Sequence, residues 1–214
     1  GDGRRAALVA QFGGTDETEK AVARALEWLK RHQGKDGLWS LTGRYKDGAR
    51  QENRLAATAM ALLALQGAGQ TTTSGTYKVV VAKAWEALRR SQLDDGQFDV
   101  RPAMPEQQGM YAHAQATIAA CELAGMTGDE TWRSVAQKAV AFAVESQAED
   151  GGWRYQPRVP NGDTSMTGWF MMALKSAEMA KLDVPPETFK RVDSFLDSVA
   201  FENGQRYGYF KYSD

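Results

Sequence analysis

Three times along this chain a glutamine is followed, after two residues, by Asp-Gly, one spacer and an aromatic. The copies are Gln33-Asp36-Gly37-Trp39, Gln92-Asp95-Gly96-Phe98 and Gln147-Asp150-Gly151-Trp153, so the glutamines recur after 59 and then 55 residues. A period of this length is the signature of stacked supersecondary units, each too small to bury its own apolar face. The likeness extends upstream without gaps, through "AVARALEWLKRHQ", "VVAKAWEALRRSQ" and "VAQKAVAFAVESQ". In the first, Val22, Ala25, Leu26 and Leu29 fall at i, i+3, i+4, i+7, with Lys20, Arg24, Glu27 and Arg31 elsewhere, which predicts a half-buried outer helix. Asp16 with Glu19, and Thr127 with Glu130, are the expected capping pairs at outer-helix starts.

After each motif a second kind of segment follows, apolar nearly all round: "LAATAMALLALQGAG", "HAQATIAACELAGMTG" and "TSMTGWFMMALKSAEMA". A helix with so little polar face must be covered on most sides, so these are inner helices, the first two expected to close at Gly67 and Gly125. "RAALVAQFGG" upstream reads as the end of another. Downstream, "PPETFKRVDSFLDSVAFENGQRYGY" reads as a fourth outer helix with Pro185 and Pro186 in its first turn. Its motif has decayed: Asn203-Gly204 replaces Asp-Gly, Tyr207 comes one place late, and Ala200 stands where Gln would. The motif itself is read as a joint, in which Gly permits the turn, Asp bonds local amides and the aromatic packs over the junction. The chain is thus expected to be all-α, one domain over residues 1–214, open to extension within a longer protein.

Composition removes several functional classes. Lys and Arg number 26 against 27 Asp and Glu, which leaves no positive field for a nucleic acid. Cys121 is the single cysteine, so no intrachain disulfide forms. No apolar run approaches the roughly 20 residues of a membrane span, and the compartment stays open.

Together, the Gln-x-x-Asp-Gly-x-Trp motif, the alternating helices and the period resemble the repeat family of squalene and hopene cyclases and protein prenyltransferase β subunits. The resemblance runs from about Ala6 to Tyr212. Met110–Asp129 and Gly162–Ala177 look more specifically like bacterial prenyltransferase or squalene-oxidase repeat proteins. The resemblance implies a partial α/α toroid of about four hairpins, inner helices around a cavity and outer helices as a sheath, able to hold an isoprenoid.

The family's chemistry is not legible residue by residue. Asp94 and Asp95, the only adjacent aspartates, lie inside the second joint, so the acid cluster of the cyclases is missing. Zinc would need Cys121, His32 or His113, and His113 and Cys121 stand eight residues apart, about 12 Å along one helix, so no metal site or other cofactor is assigned. One pattern remains. Aligned on Thr58, Thr117 and Thr167, the inner helices carry Arg54, His113 and Asp163 four places earlier; in the toroid that the resemblance implies, those helix ends share one rim, where the three ionisable groups are expected to converge with Tyr111 and Trp169 as aromatic walls. Each has a plain alternative: Asp163 as a helix cap, Arg54 as a solvated charge, His113 as a core or rim hydrogen-bonding residue, Tyr111 and Trp169 as packing.

Three functions follow as expectations. The first is a domain binding an apolar or extended ligand, an isoprenoid or a peptide. The second is a terpenoid cyclase or prenyltransferase-type enzyme with His113 or Asp163 as acid or base. The third is a scaffold whose open edges take a neighbouring repeat or a second subunit.

Overall fold

The computed structural model describes residues 9, 11–43, 45–100 and 108–211. Both limits of the family resemblance, Ala6 and Tyr212, fall outside them, and of "RAALVAQFGG" residues 9 and 11–14 are described, with Gly13 at positive φ. Two compact units divide the chain, Gly1–Gln33 and Gly34–Asp214. Among the described residues the fold is all-α, with seven helices and one two-stranded hairpin. No helix among them is long and apolar enough to cross a membrane.

The first unit contains α1, Asp16–His32. Its cap is Thr15 rather than Asp16. The Thr15 hydroxyl accepts from the Thr18 amide at 3.3 Å, and Thr18 returns the bond to the Thr15 amide, while Asp16, Glu17 and Glu19 sit in the first turn where the helix dipole favours negative charge.

In the second unit inner helices α2 (Arg54–Gly67), α4 (Gly109–Thr127) and α6 (Thr164–Met179) alternate with outer helices α3 (Lys78–Ser91), α5 (Glu130–Glu145) and α7 (Pro186–Val199). Helix α4 lies between α2 and α6; α5 packs on α4 and α6, α3 on α2, and α7 on α6. The inner helices run in the same direction. At their starts Asn53 donates to Gln108 at 3.3 Å and Tyr111 to Ser165 at 3.0 Å. Further along, Gln66 of α2 donates to the Ala119 carbonyl of α4 at 2.9 Å and accepts from the indole of Trp85 on α3, also at 2.9 Å. One buried amide thus holds three helices and satisfies the indole N–H of Trp85.

Helix ends differ in detail from the sequence expectation. Helix α2 stops at Gly67, but the left-handed residue is Gly69, φ 80°. Helix α4 runs past Gly125 to Thr127 and turns at Gly128, φ 63°, because Gly125 keeps helical geometry against Ala180. Asp129, not Thr127, caps α5; the Thr127 hydroxyl bonds back to the Leu123 carbonyl. Pro185 and Pro186 do open α7. After it the decayed motif forms a hairpin, β1 (Ala200–Phe201) with β2 (Arg206–Tyr207), turned by Asn203 and Gly204 at positive φ.

The joints explain the repeat. In each, the Asp side chain accepts the amide two residues on: Asp36 from Leu38, Asp95 from Gln97, Asp150 from Gly152. The glycine adopts positive φ and lies against the backbone of the next outer helix, such that a β-carbon would fall 2.6 Å from the Lys83 carbonyl oxygen at Gly37, 2.1 Å from that of Lys138 at Gly96 and 2.0 Å from that of Arg191 at Gly151. The glutamine binds both parts together. Gln92 donates to the Gly96 and Val135 carbonyls at 3.1 and 3.0 Å, and Gln147 to those of Gly151 and Thr188 at 2.9 and 3.1 Å. The motif is therefore a connector between one repeat and the outer helix of the next. Gln147→Ala is expected to strand the Gly151 carbonyl and cut the tie to Thr188 of α7, lowering stability by about 1–3 kcal/mol, read from denaturant unfolding.

Candidate functional site

The three aligned positions and the threonines that align them all serve the joints. The amide of Trp39 donates to Thr58 at 3.0 Å and that of Trp153 to Thr167 at 3.1 Å. In the middle repeat the amide of Phe98 instead meets Nδ1 of His113 at 3.4 Å, and Thr117 bonds the same ring at Nε2. Each threonine or histidine thus ties the joint's aromatic residue to its inner helix.

His113 lies in the second turn of α4, because that helix begins four residues earlier at Gly109. It is fully buried, Nε2 reaches the Ala139 carbonyl at 3.2 Å, and its ring stands edge-on to Phe142 at 4.6 Å. Burial lowers its pKa to about 4, so it is neutral at pH 7. Arg54, the first residue of α2, makes a two-pronged ion pair with Asp36 of the first joint at 2.7 and 2.9 Å, and this bond holds the Asp36 carboxyl below its usual range.

Asp163 caps α6 from the side of the third joint. Its Oδ1 accepts the Met166 amide at 2.7 Å and its own amide donates to the Trp153 carbonyl. Its Oδ2 is buried with no hydrogen-bond partner. Near this end Tyr111 donates to Ser165, and the hydroxyls of Tyr155 and Tyr209 meet at 2.8 Å, a bond that with burial raises the Tyr209 pKa. Trp169 is half-buried on α6. The structure thus brings Tyr111 to the α6 end capped by Asp163, while Arg54 and His113 are engaged by the first and second joints.

A second location was not anticipated. Toward the C-terminal ends of α2, α4 and α6 a pocket of about 440 Å³ is walled by Gly67, Cys121, Glu122, Gly125, Met126, Ser176, Met179 and Ala180. Met126 and Met179 are 43% and 85% exposed, and the inner helices also expose Met60 and Met172. Cys121 is buried and its thiol is pushed up to about 12, which removes it as a nucleophile at neutral pH. The carboxyl of Glu122 is raised by burial, opposed by a bond from Gln66. Glu122 is the signal that sequence reading passed over: the single charged residue in the apolar stretch "ATIAACELAGM". Among the described residues no three His, Cys, Asp or Glu side chains gather as metal ligands.

Residues 3–106 match the family model of the squalene-hopene cyclase C-terminal domain. Over that stretch, just under half of the chain, the sequence is similar to that domain. The matched stretch contains the first two joints and α1 to α3; the third joint, beyond it, repeats the Asp and Gly contacts of both, the Gln contacts of the second and the Thr contact of the first. No curated protein matches the chain.

Proposed function

We propose that this terpenoid-cyclase-like repeat domain binds an apolar ligand, an isoprenoid or similarly extended chain, against its inner helices. The observation that carries the reading is the pocket at the α2, α4 and α6 ends, whose volume lies within the roughly 300–1,000 Å³ of small-molecule sites. Its flexible thioether walls suit a chain of variable conformation. Methionine exposed on helices that are otherwise apolar all round is surface left for a partner or ligand. The partial toroid implied by the family would continue this wall, and a neighbouring repeat or second subunit would use the same kind of surface.

The test is calorimetric titration with a short prenyl alcohol. Binding is expected to weaken at least about tenfold in Met126→Lys/Met179→Lys, since two exposed apolar contacts are replaced without touching the core. A folded wild-type sample that takes up no prenyl alcohol contradicts the reading.

A second reading, a cyclase or prenyltransferase-type enzyme, is favoured by the unpartnered Oδ2 of Asp163, the one candidate acid or base with an unused buried oxygen. It predicts that Asp163→Asn abolishes product formation from a polyprenyl substrate; unchanged turnover removes it. His113, neutral and bonded at both ring nitrogens, supports the core role instead.

A further inference from the structure

We propose that the ligand taken by the inner-helix pocket is an apolar amine, its protonated nitrogen held by Glu122; this rests on the binding reading above and names the ligand's polar end. Three observations converge on it. Glu122 is a wall of the pocket, half-buried, and no cation pairs with it among the described residues. The last turns of α2, α4 and α6 meet there, and the C-terminal end of a helix carries partial negative charge that favours a cation. The remaining walls, Cys121, Met126, Ser176, Met179, Ala180 and the two glycines, are mostly apolar and carry no positive charge.

Neighbouring charges do not satisfy Glu122. Lys175 on α6 pairs with Glu178 at 2.8 Å. Arg133, from α5, donates to the Ala180 and Lys181 carbonyls at 2.9 and 3.0 Å and so closes the end of α6. From α2 only the Gln66 amide reaches the carboxyl, and that amide is already divided between Ala119 and Trp85. A carboxylate half removed from water is drawn toward a counter-charge that brings its own apolar body to displace the remaining water. A carboxylate ligand is repelled by the same arrangement, and an alcohol gains only the apolar contacts and one neutral hydrogen bond.

Decylamine, decanol and decanoate, titrated by calorimetry at pH 7.5 into the wild-type chain and Glu122→Gln, separate the alternatives. The expected result is amine binding roughly tenfold or more tighter than alcohol, with no detectable decanoate, and loss of that preference in Glu122→Gln while decanol binds as before. Equal affinity for amine and alcohol in the wild type overturns the amine assignment and leaves the apolar site standing. Amine preference that survives in folded Glu122→Gln also overturns it. If none of the three binds, both this inference and the binding reading on which it rests are overturned. Met179→Ala is the companion variant: it is expected to weaken amine and alcohol by the same factor, and a loss confined to the amine counts against Glu122 as the holder of the charge.

Discussion

Trp153→Ala is expected to lower stability by about 3–5 kcal/mol, enough to unfold a marginal domain, as measured by denaturant or thermal unfolding. The indole is fully buried, lies parallel to Phe170 at 5.0 Å between ring centres, and donates from Nε1 to the Ala143 carbonyl at 2.9 Å. Its removal leaves a large void between α5 and α6 and leaves the Ala143 carbonyl near the end of α5 with the Ser146 hydroxyl as its side-chain donor. Trp153→Phe keeps the stacking and loses only the hydrogen bond, so it is expected to cost less than half as much. Equal losses in the two variants would mean that the bond, rather than the packing, holds the third joint.

Acid is expected to act on the protein through His113. The folded imidazole titrates near 4, while the unfolded one titrates near 6.5. Between those values the unfolded chain binds more protons, so stability is complete above about pH 6.5 and falls by about 3 kcal/mol as pH drops toward 4. The cause is burial, against which the Ala139 carbonyl helps the charged form only in part. His113→Gln, which keeps a side chain able to bond without titrating, is expected to flatten this part of the pH–stability curve relative to wild type. An unchanged slope between pH 4 and 6.5 in the variant would show that His113 is solvated or titrates elsewhere.

Much of the architecture was readable because the repeat is written in side chains that act locally. Gly37, Gly96 and Gly151 are glycines because carbonyls of the next outer helix occupy the space of a β-carbon, and this appears in sequence as a fixed position. Helix type followed from periodicity. Helix ends were less legible, since Gly125 looks like a terminator but is held within α4 beside Ala180, and the left-handed turn falls to Gly128. The alignment of Arg54, His113 and Asp163 was real in register yet carried more than one meaning: a surface ion pair, a core histidine and a helix cap can occupy one repeat position, because what they share is proximity to a joint. Glu122 was missed for the converse reason. A lone acid on an apolar helix shows no pattern along the chain, and only the packing of α2 and α6 beside α4 makes its surroundings a pocket.

The arrangement assigns different work to the two ends of the inner helices. Their N-terminal ends are committed to the joints, where Thr58, His113 and Thr167 accept amides from Trp39, Phe98 and Trp153. Their C-terminal ends carry the pocket and exposed methionines. A ligand reading placed at the pocket therefore leaves the connectors undisturbed, and substitutions at Met126, Met179 or Glu122 are expected to change binding with little change in unfolding midpoint.

The most direct measurement is methyl NMR of the chain labelled at its eight methionines, titrated with a short prenyl alcohol. The account predicts saturable shifts of the Met126 and Met179 methyls, with Met110 and Met166, both buried in the core, unmoved. Shifts absent from Met126 and Met179, or spread evenly over the core methyls, would contradict it.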